Sequence, residues 1–396
     1  MRFLPLLLLP LAACSSVGIT SDFEGGSVGK VVKVSETHFR CGVAGQADQD
    51  NRNRQASWYY FRIDGAKGKE ITITLTDLRG EYNYKPGGLC VRDDTPPVAS
   101  GDGKTWRHVG ERLAMEKDEA TFRVTPDSDT FWIAHIEPYP ASRLNRFLDE
   151  IRGSPHLKDE TFGKTVEGRD LHLLTITDLA AETATPPPTV WLMCRQHAWE
   201  TGTSFVGEGA IRWLLSDEAA PLRKTLVFKI LPMMDPDGCA RGGVRFNRNG
   251  YDLNRNWDSA DPESPESRRI MPEICAAKKV IHAFSGLFLT LHNQETGEWM
   301  SSSAKNKPIA DRFFAELRER STFNPSEAGP RPPGAKPAPG RASVYEYLDG
   351  QRGLSAFLLE QGITRSSKLG RLPTSQDRRE FGAQLIRVMA DVALGK

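Results

Sequence analysis

The sequence predicts an α/β protein with a mixed, mostly parallel sheet and helices on both faces, preceded by a small antiparallel β-sandwich domain. Over about residues 18–136, short runs of alternating polar and apolar residues are separated by Gly, Asp and Pro, which is typical of antiparallel strands. After residue 138, apolar runs alternate with segments of helical periodicity, which is typical of parallel strands covered by helices. The length of 396 residues suits two domains.

The N-terminal region, residues 18–136, is interpreted as the β-sandwich. Residues 70–75 and 121–124 alternate polar and apolar side chains, as strands with one buried face do. Residues 85–88 and 100–103 are rich in Gly, Pro and Asp and are interpreted as turns between strands. The region shows no residue pattern that suggests catalysis.

Five aromatic residues stand out in this region, namely Trp58, Tyr59, Tyr60, Trp106 and Trp132. They could form a binding surface or belong to a packed core. Core packing is the favoured interpretation, because large aromatic side chains dominate the energetics of protein cores.

The C-terminal region, residues 138–396, is interpreted as the α/β domain. Leu144, Phe147, Leu148 and Ile151 recur at helical spacing and predict its first helix. Buried strands are predicted at residues 189–194, 226–231, 287–291 and 356–359, and further helices at 205–215, 309–317 and 381–392. Two proline-rich stretches, 185–188 and 325–340, are interpreted as loops.

Composition excludes some classes of protein. The hydrophobic fraction of 39% is enough for packed cores and is not that of a disordered chain. The net charge is +1, and basic residues are scattered rather than clustered, so we expect no nucleic-acid partner.

The first residues indicate export. Arg2 precedes an apolar run over residues 3–10, which is too short to span a bilayer, and Leu-Ala-Ala-Cys follows at residues 11–14. This tetrapeptide resembles the lipobox of bacterial lipoproteins, which implies that residues 1–14 carry the signal and that Cys14 is lipidated. Ser15 then favours the outer membrane, so we expect a lipid-anchored protein of the cell envelope, facing the periplasm. The alternative is an ordinary cleaved signal in which Cys14 is incidental.

The remaining cysteines suggest no zinc ribbon or redox pair, because no Cys-x-x-Cys occurs. Cys41 and Cys90 could form a disulfide in an oxidising compartment. Cys194 lies in an apolar run and is interpreted as a small buried hydrophobic residue.

Polar residues follow the predicted buried strands where each strand ends. The first strand leads to His197 and Glu200, the second to Asp235, the third to His292 and the fourth to Glu360. In an open α/β sheet, ligands bind outside the carboxyl ends of the strands. We therefore expect these side chains to meet at one edge of the sheet.

Two histidines and a glutamate are a known ligand set for catalytic zinc, with a position left open for water. His197 and Glu200 form a His-x-x-Glu leaving one strand, and His292 comes from another. Singly, the first two could be a turn at a helix start and the third a core histidine. Their shared edge favours one zinc ion held by all three. The absence of His-Glu-x-x-His excludes a thermolysin-like arrangement.

Several motifs in the C-terminal region together resemble those of a known family. They are Pro-Tyr-Pro at 138–140, Arg-Gln-His-Ala-Trp-Glu-Thr at 195–201, Asp-Pro-Asp-Gly at 235–238, Gly-Tyr-Asp-Leu-Asn-Arg-Asn-Trp at 250–257, Thr-Leu-His at 290–292 and Phe-Leu-Leu-Glu at 357–360. Over residues 138–380 the chain resembles the zinc carboxypeptidases, in the same order and approximate spacing. The whole chain resembles the cytosolic carboxypeptidase branch, which places a β-sandwich before the catalytic domain.

The resemblance implies removal of the C-terminal residue of a peptide or protein by a zinc-bound water, with Glu360 as general base. It places the arginine that polarises the carbonyl at Arg245 and assigns the terminal carboxylate to Asn254 and Arg255. An ordinary solvated arginine is the alternative for Arg245. The sequence departs from digestive relatives, which carry a mobile tyrosine about twenty residues before the glutamate.

Two other functions stay open. Relatives that keep the metal site cleave acylated amino acids or cell-wall peptides, so an amidase or deacylase is one alternative. The other is a non-catalytic envelope binding lipoprotein, which predicts a missing ligand or base, and none is missing here. Arg331, Lys336 and Arg341 could favour acidic C-terminal residues, as in deglutamylating members, or serve solubility.

Overall fold

A computed structural model describes residues 16–179, 187–281, 286–332, 334, 336–352 and 355–396. The predicted signal with Cys14, and part of the predicted loop at 185–188, lie outside the described residues. Within these ranges, no helix is both long and apolar enough to cross a membrane.

The N-terminal region is built from short strands, as predicted. They are β1 (Gly18–Thr20), β2 (Val31–Ser35), β3 (His38–Gly42), β4 (Gln46–Ala47), β5 (Arg54–Gln55), β6 (Tyr60–Asp64), β7 (Ile71–Thr76), β8 (Arg79–Tyr82), β9 (Lys85–Leu89), β10 (Val98–Ser100), β11 (Arg107–His108), β12 (Ala114–Glu116), β13 (Glu119–Val124) and β14 (Thr130–Ala134). Two five-stranded sheets, in the orders β1-β6-β14-β10-β11 and β12-β13-β7-β3-β2, pack around one apolar core. Pairing is antiparallel except between β3 and β7.

One predicted turn in this region is wrong. Residues 85–88 belong to strand β9, which pairs only with β8 at the edge of a small sheet of order β4-β5-β8-β9. Pro86 is tolerated there because an edge strand does not need every backbone N–H for pairing. The second predicted turn, residues 100–103, follows β10 as expected.

The suggested disulfide is also absent, since Cys41 and Cys90 are both free thiols. Cys41 is buried in the sandwich core, and burial raises the pKa of its thiol to about 12. Cys194 is fully buried at the end of a strand, as predicted.

The C-terminal region supplies the remaining strands and the helices. The strands are β15 (Leu157–Lys164), β16 (Asp170–Ile176), β17 (Thr189–Met193), β18 (Val227–Leu231), β19 (Gly286–Gln294), β20 (Trp299–Ser302) and β21 (Ser355–Gly362). The helices are α1 (Ala141–Ile151), α2 (Thr201–Leu214), α3 (Ala220–Arg223), α4 (Pro236–Arg241), α5 (Pro265–Ile270), α6 (Pro272–Val280), α7 (Lys307–Arg320), α8 (Val344–Tyr347) and α9 (Ser375–Ala393).

The seven strands form one mixed sheet of order β15-β16-β18-β17-β19-β21-β20. The central strands β18, β17, β19 and β21 are parallel, and β15, β16 and β20 add antiparallel pairings. Helices α1, α2, α7 and α9 pack on one face of the sheet, and α6 and α8 pack on the other. Each face has one apolar cluster between the sheet and its helices. The predicted fold class is therefore confirmed, because the apolar runs at the centre are buried on both faces.

Aromatic residues join the two regions. Trp58 and Tyr60 are buried in a small apolar cluster with Trp199 and Val244 of the C-terminal region. Trp106 and Trp132 pack against the same cluster, and Tyr59 lies in the sandwich core. The preference for packing over an exposed binding surface is confirmed, although much of this packing lies between the regions.

Candidate active site

The loop between β17 and α2 carries the first two candidate ligands. It begins at Arg195, whose φ of 56° lies in the left-handed region and turns the chain sharply. The buried Arg195 guanidinium then donates to the carbonyl oxygens of Ala198 (2.6 Å) and Tyr139 (3.0 Å) and to Ser204 Oγ (3.0 Å). These bonds fix the loop, so that His197 and Glu200 leave it from defined positions.

The other candidate residues come from neighbouring strands. His292 lies near the end of β19, directly opposite Glu360 of β21 in the parallel register. Because β17, β19 and β21 are adjacent and parallel, their carboxyl ends meet at one edge of the sheet. Strand β18 is parallel to β17 as well, so the expectation of a shared edge is met for all four strands.

The three predicted metal ligands converge there. His197 Nδ1 lies 2.7 Å from Glu200 Oε1, and His292 Nδ1 lies 2.9 Å from Glu200 Oε2. One ligand atom from each residue lies within 4.8 Å of the others, and all three side chains are buried. Both imidazoles therefore present the same ring nitrogen to the glutamate.

The opposite nitrogen of His197 contacts a carboxylate. His197 Nε2 lies 3.1 Å from Asp252 Oδ1, and Asp252 Oδ2 accepts a hydrogen bond of 2.7 Å from Arg245 Nε. An imidazole that binds metal through Nδ1 carries its proton on Nε2, so Asp252 can accept that proton in a hydrogen bond. Asp252 thus fixes the ring of His197 and the side chain of Arg245 together.

The opposite nitrogen of His292 is also held. Thr290 Oγ1 lies 3.1 Å from His292 Nε2 and donates to Gln196 Oε1 at 2.6 Å. Gln196 in turn donates to the carbonyl oxygen of Leu253. Metal-bound histidines usually have such oxygen partners on the second nitrogen. The donor set and its supporting contacts therefore fit a zinc ion bound by His197, Glu200 and His292.

Electrostatics favour an ionised Glu200. Burial alone would raise the pKa of its carboxyl, but the two adjacent imidazoles lower that pKa to about 2. A negatively charged carboxylate between two histidines is a suitable ligand for a cation. The site therefore carries the charge that a divalent metal requires.

Glu360 lies in a different environment. Among the described residues, its Oε2 is buried without a hydrogen-bond partner. Burial and the nearby negative charge of Glu200 raise the pKa of Glu360 well above its usual range, while Arg245 opposes the shift. The carboxyl group is thus close to the triad but free to interact with a substrate or with water.

The predicted carboxylate-binding pair lies beside the triad. Asn254 Nδ2 is 3.2 Å from His292 Nε2, and Asn254 Oδ1 accepts from the backbone N–H of Val344. When His292 binds metal through Nδ1, its Nε2 is protonated and cannot accept from this amide, so the amide hydrogens stay available for a substrate oxygen. Burial lowers the pKa of Arg255, and the nearby guanidinium groups of Arg245 and Arg341 act in the same direction. This cluster of positive charge suits an anionic substrate group.

The aspartates after β18 lie outside the triad. Asp235 caps helix α4 by accepting from the Gly238 N–H, and Asp237 bonds Thr165 and Arg169. Conversely, local sequence pattern predicts no role for Asp252, Thr290 or Gln196, although all three lie inside the motifs that carry the resemblance. Position within a motif is the one sequence feature that marks these three residues, and it does not reveal a hydrogen-bond partner.

Two segments of this chain match models of known protein families. Residues 144–308 match the family model described as zinc carboxypeptidase, and residues 19–136 match that of the cytosolic carboxypeptidase N-terminal domain. The chain therefore carries a segment that matches the zinc carboxypeptidases, preceded by one that matches the N-terminal domain of cytosolic carboxypeptidases. The resemblance inferred from the motifs is confirmed, and zinc is the metal that this family uses.

Relatives of known sequence are longer than this chain. Cytosolic carboxypeptidase 2 of Danio rerio is 29% identical over 265 residues, which cover 62% of this chain and 36% of the relative. Cytosolic carboxypeptidase 3 of Mus musculus is 30% identical over 266 residues, or 61% of this chain and 26% of the relative. The chain thus spans roughly a quarter to a third of these two relatives.

Solved structures share the fold over nearly the whole chain. A metallo-carboxypeptidase from Burkholderia cenocepacia has a TM-score of 0.81 at 24% identity and covers 96% of this chain and 99% of its own. A metallo-carboxypeptidase from Pseudomonas aeruginosa, in complex with (2-guanidinoethylmercapto)succinic acid, has a TM-score of 0.79 at 22% identity and covers 94% and 98%. Both similarities show that the two regions occur together in one established fold.

Proposed function

We propose that this chain is a zinc-dependent metallocarboxypeptidase that hydrolyses the C-terminal peptide bond of peptides or proteins. One observation carries the proposal, namely the convergence of His197, Glu200 and His292 beside Glu360, whose Oε2 has no hydrogen-bond partner among the described residues. The match of residues 144–308 to the zinc carboxypeptidase model supports the same reaction class.

Glu360 and Arg245 have different roles in the proposed hydrolysis. Zinc, when bound, supplies a Lewis acid that lowers the pKa of a water ligand and polarises a carbonyl oxygen. Glu360 accepts a proton from the attacking water and passes it to the leaving amine nitrogen. Arg245, held by Asp252, donates to the carbonyl oxygen as negative charge develops there.

The positively charged groups around Arg255 bind the free C-terminal carboxylate of the substrate. Arg255 supplies a guanidinium, which pairs with both oxygens of a carboxylate, and Asn254 supplies an amide hydrogen. These groups lie next to the triad, since Asn254 contacts His292. A substrate whose terminal carboxylate is bound there presents its last peptide bond to Glu360.

Peptides with blocked ends test the proposal. We expect the purified, zinc-loaded chain to release the last residue from peptides with a free carboxylate and to leave C-terminally amidated copies intact. Equal cleavage of both forms would contradict carboxylate recognition. Muropeptides and acylated amino acids belong in the same panel, because cleavage of these substrates alone would favour the amidase or deacylase alternative.

We further propose that the chain is a lipoprotein of the bacterial outer membrane that faces the periplasm. The support is the sequence of residues 1–15, with its apolar run and the Leu-Ala-Ala-Cys at 11–14. Cys14→Ser should abolish incorporation of labelled palmitate and move the chain out of the membrane fraction. Unchanged labelling would show that the lipid is not attached at Cys14.

A further inference from the structure

A glutamine of the N-terminal region contacts the loop that carries Arg245. Gln46 Oε1 lies within hydrogen-bond distance of three successive backbone N–H groups, those of Val244 (2.9 Å), Arg245 (2.7 Å) and Phe246 (2.9 Å). Gln46 Nε2 donates to the carbonyl oxygen of Phe246 at 2.7 Å. Successive N–H groups directed at one point form a concave site for a partly negative atom, and here a side-chain oxygen fills it.

The same N-terminal segment holds the far end of this loop. The Gln49 N–H donates to the carbonyl oxygen of Gly250 at 3.1 Å. Gly250 has a φ of 85°, and a Cβ there would lie 2.5 Å from Gln49 N, so only glycine allows this close approach. Asp48 stiffens the segment, because its carboxylate accepts from Arg52 N and Asn53 Nδ2.

The contacts continue from this loop to the metal ligands. Arg245 bonds Asp252 Oδ2, and Asp252 Oδ1 contacts His197 Nε2. Gln46 therefore stands at the start of an unbroken series of hydrogen bonds that ends at a predicted zinc ligand. The series fixes where the Arg245 guanidinium lies relative to the bound metal.

Gln46 is not needed to hold the two regions together. That role falls to the apolar cluster in which Trp58 and Tyr60 pack against Trp199 and Val244. Burial of such aromatic area supplies the main free energy of association, whereas hydrogen bonds fix orientation. The loss of one amide should therefore leave the regions joined and the loop less well placed.

We propose that Gln46 is a positioning residue for catalysis, through which the N-terminal region holds Arg245 where it can stabilise the developing oxyanion. This inference rests on the proposed function of Arg245. Removing an oxyanion donor costs on the order of 10²- to 10³-fold in kcat, which is the loss we expect for Arg245→Ala. Misplacing that donor should cost about 10- to 100-fold, which is the loss in kcat expected for Gln46→Ala.

A matched control comes from the adjacent strand. Gln55 pairs with Gln46 in the β4–β5 register, and its side chain makes no hydrogen bond among the described residues. Gln55→Ala should keep full kcat, and all variants should keep wild-type zinc content and thermal unfolding temperature. Gln46→Glu retains the acceptor oxygen and should recover part of the activity that Gln46→Ala loses. Equal activity of the Glu and Ala variants would overturn the acceptor role.

A double-mutant cycle on the best free-ended peptide separates positioning from general destabilisation. If Gln46 acts through Arg245, Gln46→Ala should have no further effect on kcat in the Arg245→Ala background. Losses that multiply instead, or full activity of Gln46→Ala beside a defective Arg245→Ala, would overturn the inference and leave the proposed function intact. Full activity of Arg245→Ala would remove the assigned role of Arg245, and the inference with it.

Discussion

The two regions of the molecule differ in what they bury. Among the described residues, Asp48 is the only Asp, Glu, Lys or Arg buried before residue 136. After residue 138 the buried charged side chains are Arg195, Glu200, Glu208, Arg223, Asp235, Asp237, Asp252, Glu273, Asp377 and Arg378. Burying an ion costs several kcal/mol unless partners compensate.

This difference distinguishes a region with an apolar core from the region that contains the candidate active site. The sandwich is stabilised by an apolar core. The C-terminal region also buries charged groups, some of which, such as Glu200, belong to the candidate site, while others, such as Arg195, fix a loop through hydrogen bonds. The single buried carboxylate of the sandwich, Asp48, stiffens the segment that contacts the Arg245 loop. Substitutions in each region should therefore affect turnover, stability or metal affinity separately.

The largest effect is expected at Glu360. Glu360→Gln should lower kcat by about 10²- to 10⁴-fold, since a positioned proton acceptor is lost, with zinc content unchanged. Steady-state kinetics and metal analysis measure the two quantities. The control is Glu298→Gln, a half-buried glutamate whose pKa is also raised and which accepts from Asn324 N. Unchanged turnover of Glu360→Gln would remove this residue from the mechanism.

The sandwich core should affect stability without affecting chemistry. Ile73 is fully buried in the apolar core of that region. Ile73→Ala should lower the free energy of unfolding by about 2 to 5 kcal/mol, because the truncation leaves a cavity. Denaturant unfolding measures this loss, and kcat measured well below the unfolding temperature should match the wild type. A fall in kcat of the folded variant would show that the core itself supports catalysis.

Asp252 is expected to affect metal affinity more moderately. Asp252→Asn weakens the acceptor for His197 Nε2, so zinc affinity should fall about 10- to 100-fold. Competition with a chelator measures it. Asp235→Asn is the matched control, because Asp235 is also buried but caps helix α4. Equal affinities of the two variants would argue against the role of Asp252.

The smallest effect concerns a buried carboxyl away from the triad. Burial raises the pKa of Glu273 from 4.5 to about 8, and Asp235 nearby reinforces the shift. The folded chain keeps this proton while the unfolded chain releases it, so stability should fall as pH rises from about 4.5 to 8. The slope contributed by Glu273 is on the order of 1 kcal/mol per pH unit.

Glu273→Gln removes that titration and should flatten the pH dependence of the unfolding free energy between pH 5 and 8. Glu266→Gln provides a control, since Glu266 is an exposed glutamate that pairs with Arg269. If Glu273→Gln keeps the wild-type slope, the carboxyl is ionised in the folded chain and buried charge is better compensated there than we infer.

The sequence predicted the parts of the fold that periodicity encodes. Strand β17 was expected at 189–194 and spans Thr189–Met193, and helix α2 was expected at 205–215 and spans Thr201–Leu214. The predicted start is four residues late because the first turn of α2 contains Thr and Gly rather than the apolar residues that periodicity detects. The domain boundaries at 136 and 138 and the role of each site residue stay predictions.

Long-range polar contacts could not be predicted in this way. Gln46 and Phe246 are 200 residues apart, and nothing in either local pattern indicates that they meet. Asp252 stood in a quoted motif, but only the fold shows that its two oxygens contact His197 and Arg245. Strand β9 was missed because Pro and Gly usually indicate turns, and its edge position is a property of the assembled sheet.

Zinc content of the purified chain and of three single variants measures whether His197, Glu200 and His292 together hold one metal ion. We expect a single zinc ion per chain in the wild type and loss of tightly bound zinc in His197→Ala, Glu200→Ala and His292→Ala, each of which should remain folded by circular dichroism. A wild-type chain that binds no zinc, or folded variants that retain it at wild-type affinity, would show that these three side chains do not form a zinc site.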